Sequence, residues 1–317
     1  MNRGPMGRPV CFMKTLVTGA TGFVGREVIA HLQAAGHAPV VLSRSPHTRD
    51  AQELADRCRA EVRSGNVLEL DTLKEAMSGV EGVIHLVGII SEVGRNTFES
   101  VHVHGTQNVV NAARAAGVKR FVQMSALGTR PDAVSRYHRS KWDGEEVVRH
   151  SGFDWTIFRP SIIYGPGDHF VNQFAEMSNW SPFLPVIGCG EATFQPISVG
   201  LVARCFVQAL TEPRAVGQTF DLVGPEILTF NQILSAILQV IEKDRTKIHI
   251  PVPLARGMAT MMEWTYPSVV GKAAPLNRDQ IIMLGEKTIG TQEPAYGIFE
   301  MRPVLFLDGI SWLRKKR

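Results

Sequence analysis

The chain has 317 residues, of which 44% are hydrophobic and 20% charged, and a formal net charge of +4 at pH 7. That is enough chain for one large α/β domain, or for a domain carrying a smaller lobe, and the positive charge is spread along it, so nucleic-acid binding is not indicated. The four cysteines (Cys11, Cys58, Cys189, Cys205) share no CxxC or metal-ligand spacing, and no apolar run reaches the ~18 residues of a membrane span. These features predict reduced thiols, a cytoplasmic-type compartment and no metal site.

Residues 1–12, with their Gly, Pro and Arg, read as a disordered leader. From there short β-rich runs alternate with helical periods: a strand over 14–18, a helix over 24–35, strands over 39–42 and 82–87, a helix over 106–116 and a strand over 121–125. A helix over 136–150 and strands over 154–158 and 219–223 continue the pattern. This alternation predicts an α/β fold of the Rossmann type, a doubly wound parallel sheet with crossover helices. Gly36 and Gly117 each stand between a helix and a strand, where a left-handed cap belongs. After Pro160 the texture changes, with Gly165, Pro166, Gly167, Pro182, Pro185, Gly188 and Gly190 interrupting the periodicity. We therefore expect a dinucleotide-binding domain of residues 13–160 with 199–224, and a smaller interleaved substrate or partner lobe of 161–198 with 225–317. Helical periods over 230–241 and 254–264 fall in that lobe. In the second of these, Leu254, Met258, Met261 and Met262 recur at helical spacing, which reads first as packing inside the lobe and second as a lipophilic contact surface.

The stretch TGATGFVG at 18–25 follows the first strand and opens the first helix, where a phosphate-binding turn belongs. Gly19 would turn the chain off the strand, Gly22 would admit the pyrophosphate and Gly25 would let the helix pack closely, with Thr21, Phe23 and Val24 completing the turn. Tyr137 and Lys141 are four apart in a helical stretch and project from one face. They form a proton-transfer pair, in which a neighbouring ammonium is expected to lower the phenol from its usual ~10. At the end of the second strand, where an acidic residue would bind ribose hydroxyls, the chain has Ser43-Arg44-Ser45. Arg44 with Ser43 predicts NADP(H) in preference to NAD(H), with Arg49 as a neighbouring candidate. Asn66 and Val67 are expected to border the adenine, and Val87 and Gly88 to form a small-residue wall. His102 and His104 read as satisfied polar residues lining a pocket rather than as metal ligands, and His85 as a hydrogen-bonded residue at the cofactor end of the sheet.

Taken together, TGATGFVG (18–25), YHRSK (137–141) and RPSIIYGPGD (159–168) resemble the short-chain dehydrogenase/reductase superfamily in its extended and atypical branches, akin to NAD-dependent epimerases and dehydratases. The phrases IHLVGII (84–90), FVQMSALGT (121–129) and YHRSKWDGEE (137–146) are similar to bacterial relatives of the nucleotide-binding accessory subunit of respiratory complex I. The resemblance implies a bound nicotinamide dinucleotide touching Pro160 and Ile163 as well. It also implies Tyr137 as acid/base, Lys141 as its partner and as a ribose ligand, and Ser125 as the hydroxyl that steadies the substrate oxygen, with Thr129 as the alternative. Phe170, Gln173 and Phe174 would face the substrate, and Gln195 would close the lobe. The chain departs from the family pattern at His102, where Asn is usual, at Gly200, where Asp is usual, and in the short interval between Ser125 and Tyr137.

Two functions fit this pattern: an NADP(H)-dependent oxidoreductase on a small or lipophilic carbonyl or alcohol, and a non-catalytic nucleotide-binding accessory or assembly protein of a respiratory complex. The second would place the chain at the inner-membrane surface. A nucleotide-sugar epimerase fits less well, because no cluster of Arg or Lys awaits a diphosphate.

Overall fold

The computed structural model describes residues 12–316 except 272 and 287, so the leader, apart from Phe12, and the terminal Arg317 lie outside the described residues. Seven parallel strands form the central sheet: β1 (Lys14–Thr18), β2 (Ala38–Ser43), β3 (Glu61–Ser64), β4 (Gly82–His85), β5 (Arg120–Met124), β6 (Asp154–Pro160) and β7 (Gln218–Leu222). Their order is β7-β6-β5-β4-β1-β2-β3, so the winding reverses between β1 and β4. A crevice opens at such a switch point, beyond the carboxyl ends of the strands.

The helices are α1 (Phe23–Ala34), α2 (Arg49–Cys58), α3 (Leu70–Ala76), α4 (Gly105–Ala115), α5 (Arg136–Arg149), α6 (Val171–Trp180), α7 (Val199–Ala209), α8 (Phe230–Val240), α9 (Val252–Val270) and α10 (Arg278–Gly285). On one face of the sheet Val28, Ile29 and Leu32 of α1 pack with Val202, Cys205 and Phe206 of α7; on the other, Leu73 of α3 and Val109 and Val110 of α4 pack over Leu16, Val83 and Phe121. Phe158 of β6 also meets Phe220 and Phe299, so a segment close to the chain's end is built into the sheet's core. Gly36 and Gly117 adopt φ of +82° and +74°, the left-handed caps their positions imply. A third cluster, around Tyr164, Leu234, Ile237 and Phe306, holds α6 and α8 together away from the sheet.

Sequence periodicity does not reveal α2, β3, α3 or α7. β3 is a four-residue edge strand without a fully buried side chain, so it carries no alternation to read. The helix expected to start at Thr106 is preceded by a π-helical segment, Glu99–His104, a wide turn often associated with functional sites.

Candidate active site and dinucleotide cleft

The glycine-rich turn has the geometry its sequence demands. Gly19 sits at φ +72°, a conformation that side chains other than glycine's strain to adopt, and its carbonyl accepts a 3.1 Å hydrogen bond from the Gly22 amide. A Cβ on Gly25 would lie 2.2 Å from the Gly19 oxygen, so only glycine lets α1 approach the turn this closely. At the switch point a cleft of about 560 Å3 is lined by Gly19, Thr21, Gly22, Ser43, Arg44, Asn66, Val67, Val87 and Gly88. Phe23, Val24 and Ile163 turn into the hydrophobic core instead, and the Pro160 carbonyl accepts from the Leu127 amide; none of the four lines the cleft.

Arg44 is exposed at the rim of this cleft and forms no ion pair among the described residues. Arg49 pairs with Glu53 one turn along α2 and does not line this cleft. Asp50 also lines the rim, where Arg26 pairs with it at 3.2 Å.

Tyr137 and Lys141 stand on the first turns of α5, whose start is fixed by the Ser135 hydroxyl accepting from the His138 amide. The Lys141 ammonium is directly behind the cleft wall: a Cβ on Gly88 would lie 2.8 Å from Nζ. Lys141 is 4% exposed, and its Nζ donates to the Met124 carbonyl at the end of β5. Burial pulls Lys141 down to about 8, against the opposing pull of Glu145. Tyr137 is pushed up to about 12 by burial and, second, by the Asp279 carboxylate. The phenol thus moves upward and not downward as expected for a neighbour of an ammonium, with burial first and the Asp279 carboxylate second as the causes. The phenol is the stable form at neutral pH, which suits it to donate a proton.

A chain of hydrogen bonds joins the cleft wall to this helix. The Ile89 amide donates to His102 Nε2 at 3.0 Å, so His102 Nδ1 carries the proton that faces Ser140 Oγ at 2.8 Å. Ser140 in turn donates to the Tyr137 carbonyl. Burial, with Lys141 and His85 adding to it, holds His102 down to about 2, so the ring stays neutral and its tautomer is fixed. His102 is thus the satisfied polar residue the sequence suggests, but His104 is exposed beside Glu99 and does not line the dinucleotide cleft. His85 spans Thr18 and Thr106 at the end of β4. Ser125 is buried at the end of β5, its hydroxyl donating to Thr129 at 3.3 Å. Among the described residues no group of three or more His, Cys, Asp or Glu is placed to hold a metal ion.

A second cleft, of about 410 Å3, opens at the start of α5, between the 91–98 loop and the α9–α10 pair. Phe98, Val134, Ala274 and Ile282 supply its apolar wall, and Arg136, Arg278 and Asp279 its polar one. Phe98, in the wall of this cleft, meets the Tyr137 ring edge-on with centroids 5.9 Å apart, while Tyr137 itself lines neither cleft. Phe170 and Phe174 pack against Phe230 in the third core cluster, and Gln173 is exposed on α6. Gln195 is buried, its side-chain oxygen accepting from the Gly290 amide. The four residues expected to face substrate therefore line neither cleft: the α6 aromatics are consumed by packing on α8, and Gln195 anchors the chain that follows α10.

Sequence reasoning missed Asn277 of the second cleft and Glu286, which braces the start of α5 beside it. Asn277 caps α10 in a reciprocal box with Gln280 and reaches Ile90 and Ser91. Glu286, 5% exposed, accepts from Arg130, the Val134 amide and His138. An Asn-x-x-Gln signature ahead of an apolar run marks the start of such a helix, but nothing local marks its partners.

A family model described as NAD(P)H-binding matches residues 19–178, and one described as RmlD substrate binding domain matches 128–261. The chain is 29% identical over 280 residues to mitochondrial NADH dehydrogenase (ubiquinone) 1 alpha subcomplex subunit 9 of Arabidopsis thaliana, covering 86% of this chain and 70% of that protein. The Mus musculus counterpart is 32% identical over 245 residues, and the match covers 75% of this chain and 63% of that protein. Ceramide reductase of Caulobacter vibrioides is 36% identical over 175 residues, covering 54% of this chain and 53% of that enzyme. In fold the chain is similar to the triphenylmethane reductase of a Citrobacter species, with a TM-score of 0.76, 21% identity and coverage of 95% of this chain and 99% of that one.

Proposed function

The chain belongs to the NAD(P)H-binding family, in the extended short-chain dehydrogenase/reductase group, and from that premise we propose that it reduces a small or lipophilic carbonyl compound, taking NADP(H) in preference to NAD(H). The observation that carries this reading is the closeness of the Lys141 ammonium to Gly88 of the dinucleotide cleft, where a Cβ would lie 2.8 Å from Nζ; it sets the Tyr137 helix against the cofactor wall. The turn at Gly19 and Gly22 fits a pyrophosphate at the start of α1, Asn66 and Val67 fit the adenine end, and Lys141 fits the ribose. When bound, a reduced nicotinamide supplies the hydride. Tyr137 then gives its proton to the carbonyl oxygen, Lys141 compensates the charge left on the phenol, and Ser125 is the hydroxyl we assign to steady that oxygen. Substrate reaches Tyr137 from the cleft walled by Phe98 and Ile282. NADPH oxidation against a panel of quinones, aldehydes and ketones tests the reading; a panel without a substrate for a chain that binds NADPH would favour the alternative below.

Arg44 gives the cofactor preference. A charge-assisted hydrogen bond to a ribose phosphate is worth about 1.5–3 kcal/mol, roughly ten- to a hundredfold in affinity. NADPH is therefore expected to bind more tightly than NADH by calorimetry, and Arg44→Ala to remove most of the difference. Equal affinities in the unmutated chain would refute the assignment.

A nucleotide-holding accessory role at a respiratory complex is favoured by one observation. Among the described side chains of α9 Ala255 and Ala259 alone are fully buried, while Leu254, Met261 at 61% and Trp264 at 81% exposure share one stripe at helical spacing. This corrects the expectation that the segment packs inside its lobe. No helix among the described residues is long and apolar enough to cross a membrane, so we propose that α9 lies against a bilayer or a membrane-bound partner, with the rest of the chain in the cytoplasm. The unmutated chain is expected to float with liposomes and Met261→Glu to stay behind; absence of flotation in the unmutated chain would exclude the lipid contact.

A further inference from the structure

We propose that Asp50 is a specificity-determining residue of the dinucleotide cleft: it returns a carboxylate to the ribose end and so limits the preference for NADP(H) that Arg44 confers. This rests on reading that cleft as the nucleotide site. The end of β2, where an acid would accept from the ribose hydroxyls, carries Ser43-Arg44-Ser45 instead. Asp50 stands further along the chain, in the first turn of α2, yet it lines the same cleft as Ser43, Arg44, Ser45 and Thr48. A tight turn brings it back to that rim, because the Ser45 carbonyl accepts from both the amide and the hydroxyl of Thr48.

Arg26 fixes the carboxylate in this place. Its Nε donates to the Thr21 carbonyl of the glycine-rich turn at 2.9 Å and its Nη2 meets Asp50 Oδ2 at 3.2 Å, so one guanidinium bridges two residues that line the cleft. The Asp50 side chain is 69% exposed, and among the described residues its Oδ1 accepts no hydrogen bond. One oxygen of the carboxylate is therefore left for a ligand. A ribose phosphate meets at this rim a cation that attracts it, Arg44, and a carboxylate that repels it, whereas an unphosphorylated ribose finds an acceptor for its hydroxyls. Arg44 and Asp50 thus pull the choice of nucleotide in opposite directions.

The test is calorimetric titration of the full chain with NADPH and with NADH, at low and at raised ionic strength. Asp50→Asn, which keeps the shape and loses the charge, is expected to raise the ratio of NADPH to NADH affinity about tenfold at low salt. The gain should shrink as salt is added, as a charge effect at an exposed rim must. Asp50→Glu should hold the ratio near that of the unmutated chain, which a role in packing alone does not predict. Asp50→Ser serves as a second neutral variant should Asn fail to fold. A ratio unmoved in a folded neutral variant would overturn the proposal, even where Arg44→Ala still lowers it and the reading of the cleft stands. Equal affinities in the unmutated chain, with the ratio raised in Asp50→Asn, would remove the role of Arg44 and keep that of Asp50. A chain that binds neither nucleotide would overturn both.

Discussion

Tyr137→Phe is expected to lower NADPH-dependent carbonyl reduction by about 10²- to 10⁴-fold while leaving nucleotide affinity nearly unchanged. The substitution removes the proton donor and keeps the ring that meets Phe98, His102 and His138, so a loss of turnover would report chemistry and not packing. With the Tyr137 phenol held up to about 12 and Lys141 pulled down to about 8, the alkaline limb of the unmutated protein's rate should fall near pH 8, where the ammonium is lost. Lys141→Met should flatten that limb and weaken both nucleotide binding and turnover. A rate that holds level through pH 10 in the unmutated chain would separate Lys141 from the reaction.

Gly22→Val is expected to reduce dinucleotide affinity by at least about a hundredfold and to leave the chain folded. A Cβ at this position meets only the Gly19 oxygen, at 3.2 Å, so the turn can yield by tenths of an ångström while the branched side chain fills the space over the start of α1. Gly25→Ala is the contrasting control, because its Cβ would collide with the Gly19 oxygen and the Ala20 backbone and must break the turn itself. Thermal melts with and without NADPH separate the two: Gly22→Val keeps its ligand-free melting temperature and loses the nucleotide-dependent rise, whereas Gly25→Ala melts lower in both. Normal affinity in Gly22→Val would move the phosphate site away from this turn.

The dinucleotide half was legible because its chemistry is local in sequence. A glycine-rich turn must sit between a strand and a helix, and Tyr137 and Lys141 meet because four residues make one helical turn; both statements need no partner from far along the chain. Strands β1, β4, β5, β6 and β7 read within two residues of their observed ends, since each centres on buried β-branched, aromatic or aliphatic residues such as Leu16, Val83, Phe121, Ile157 and Phe220. The substrate side was not legible. Asp279 reaches the Tyr137 amide across 142 positions and Glu286 reaches His138 across 148, and no spacing rule connects such pairs. Phe170 and Phe174 mislead for a related reason: an aromatic pair beside a glycine-rich turn suits a pocket and a core equally, and only the presence of Phe230 on α8 decides. The α9 stripe fails in the opposite sense, because amphipathic spacing shows which residues share a face but not whether anything within the chain covers it.

The most direct test of hydride transfer in this site is a single-turnover measurement with NADPH deuterated at the transferring position of C4 and a carbonyl compound from the panel. The account predicts one deuterium on the carbinol carbon for each nucleotide oxidised in the unmutated protein, with transfer slowed by orders of magnitude in Tyr137→Phe. Nucleotide that stays bound and unoxidised against every carbonyl, in a protein whose melting temperature it raises, would contradict the account and make the chain a holder of its dinucleotide.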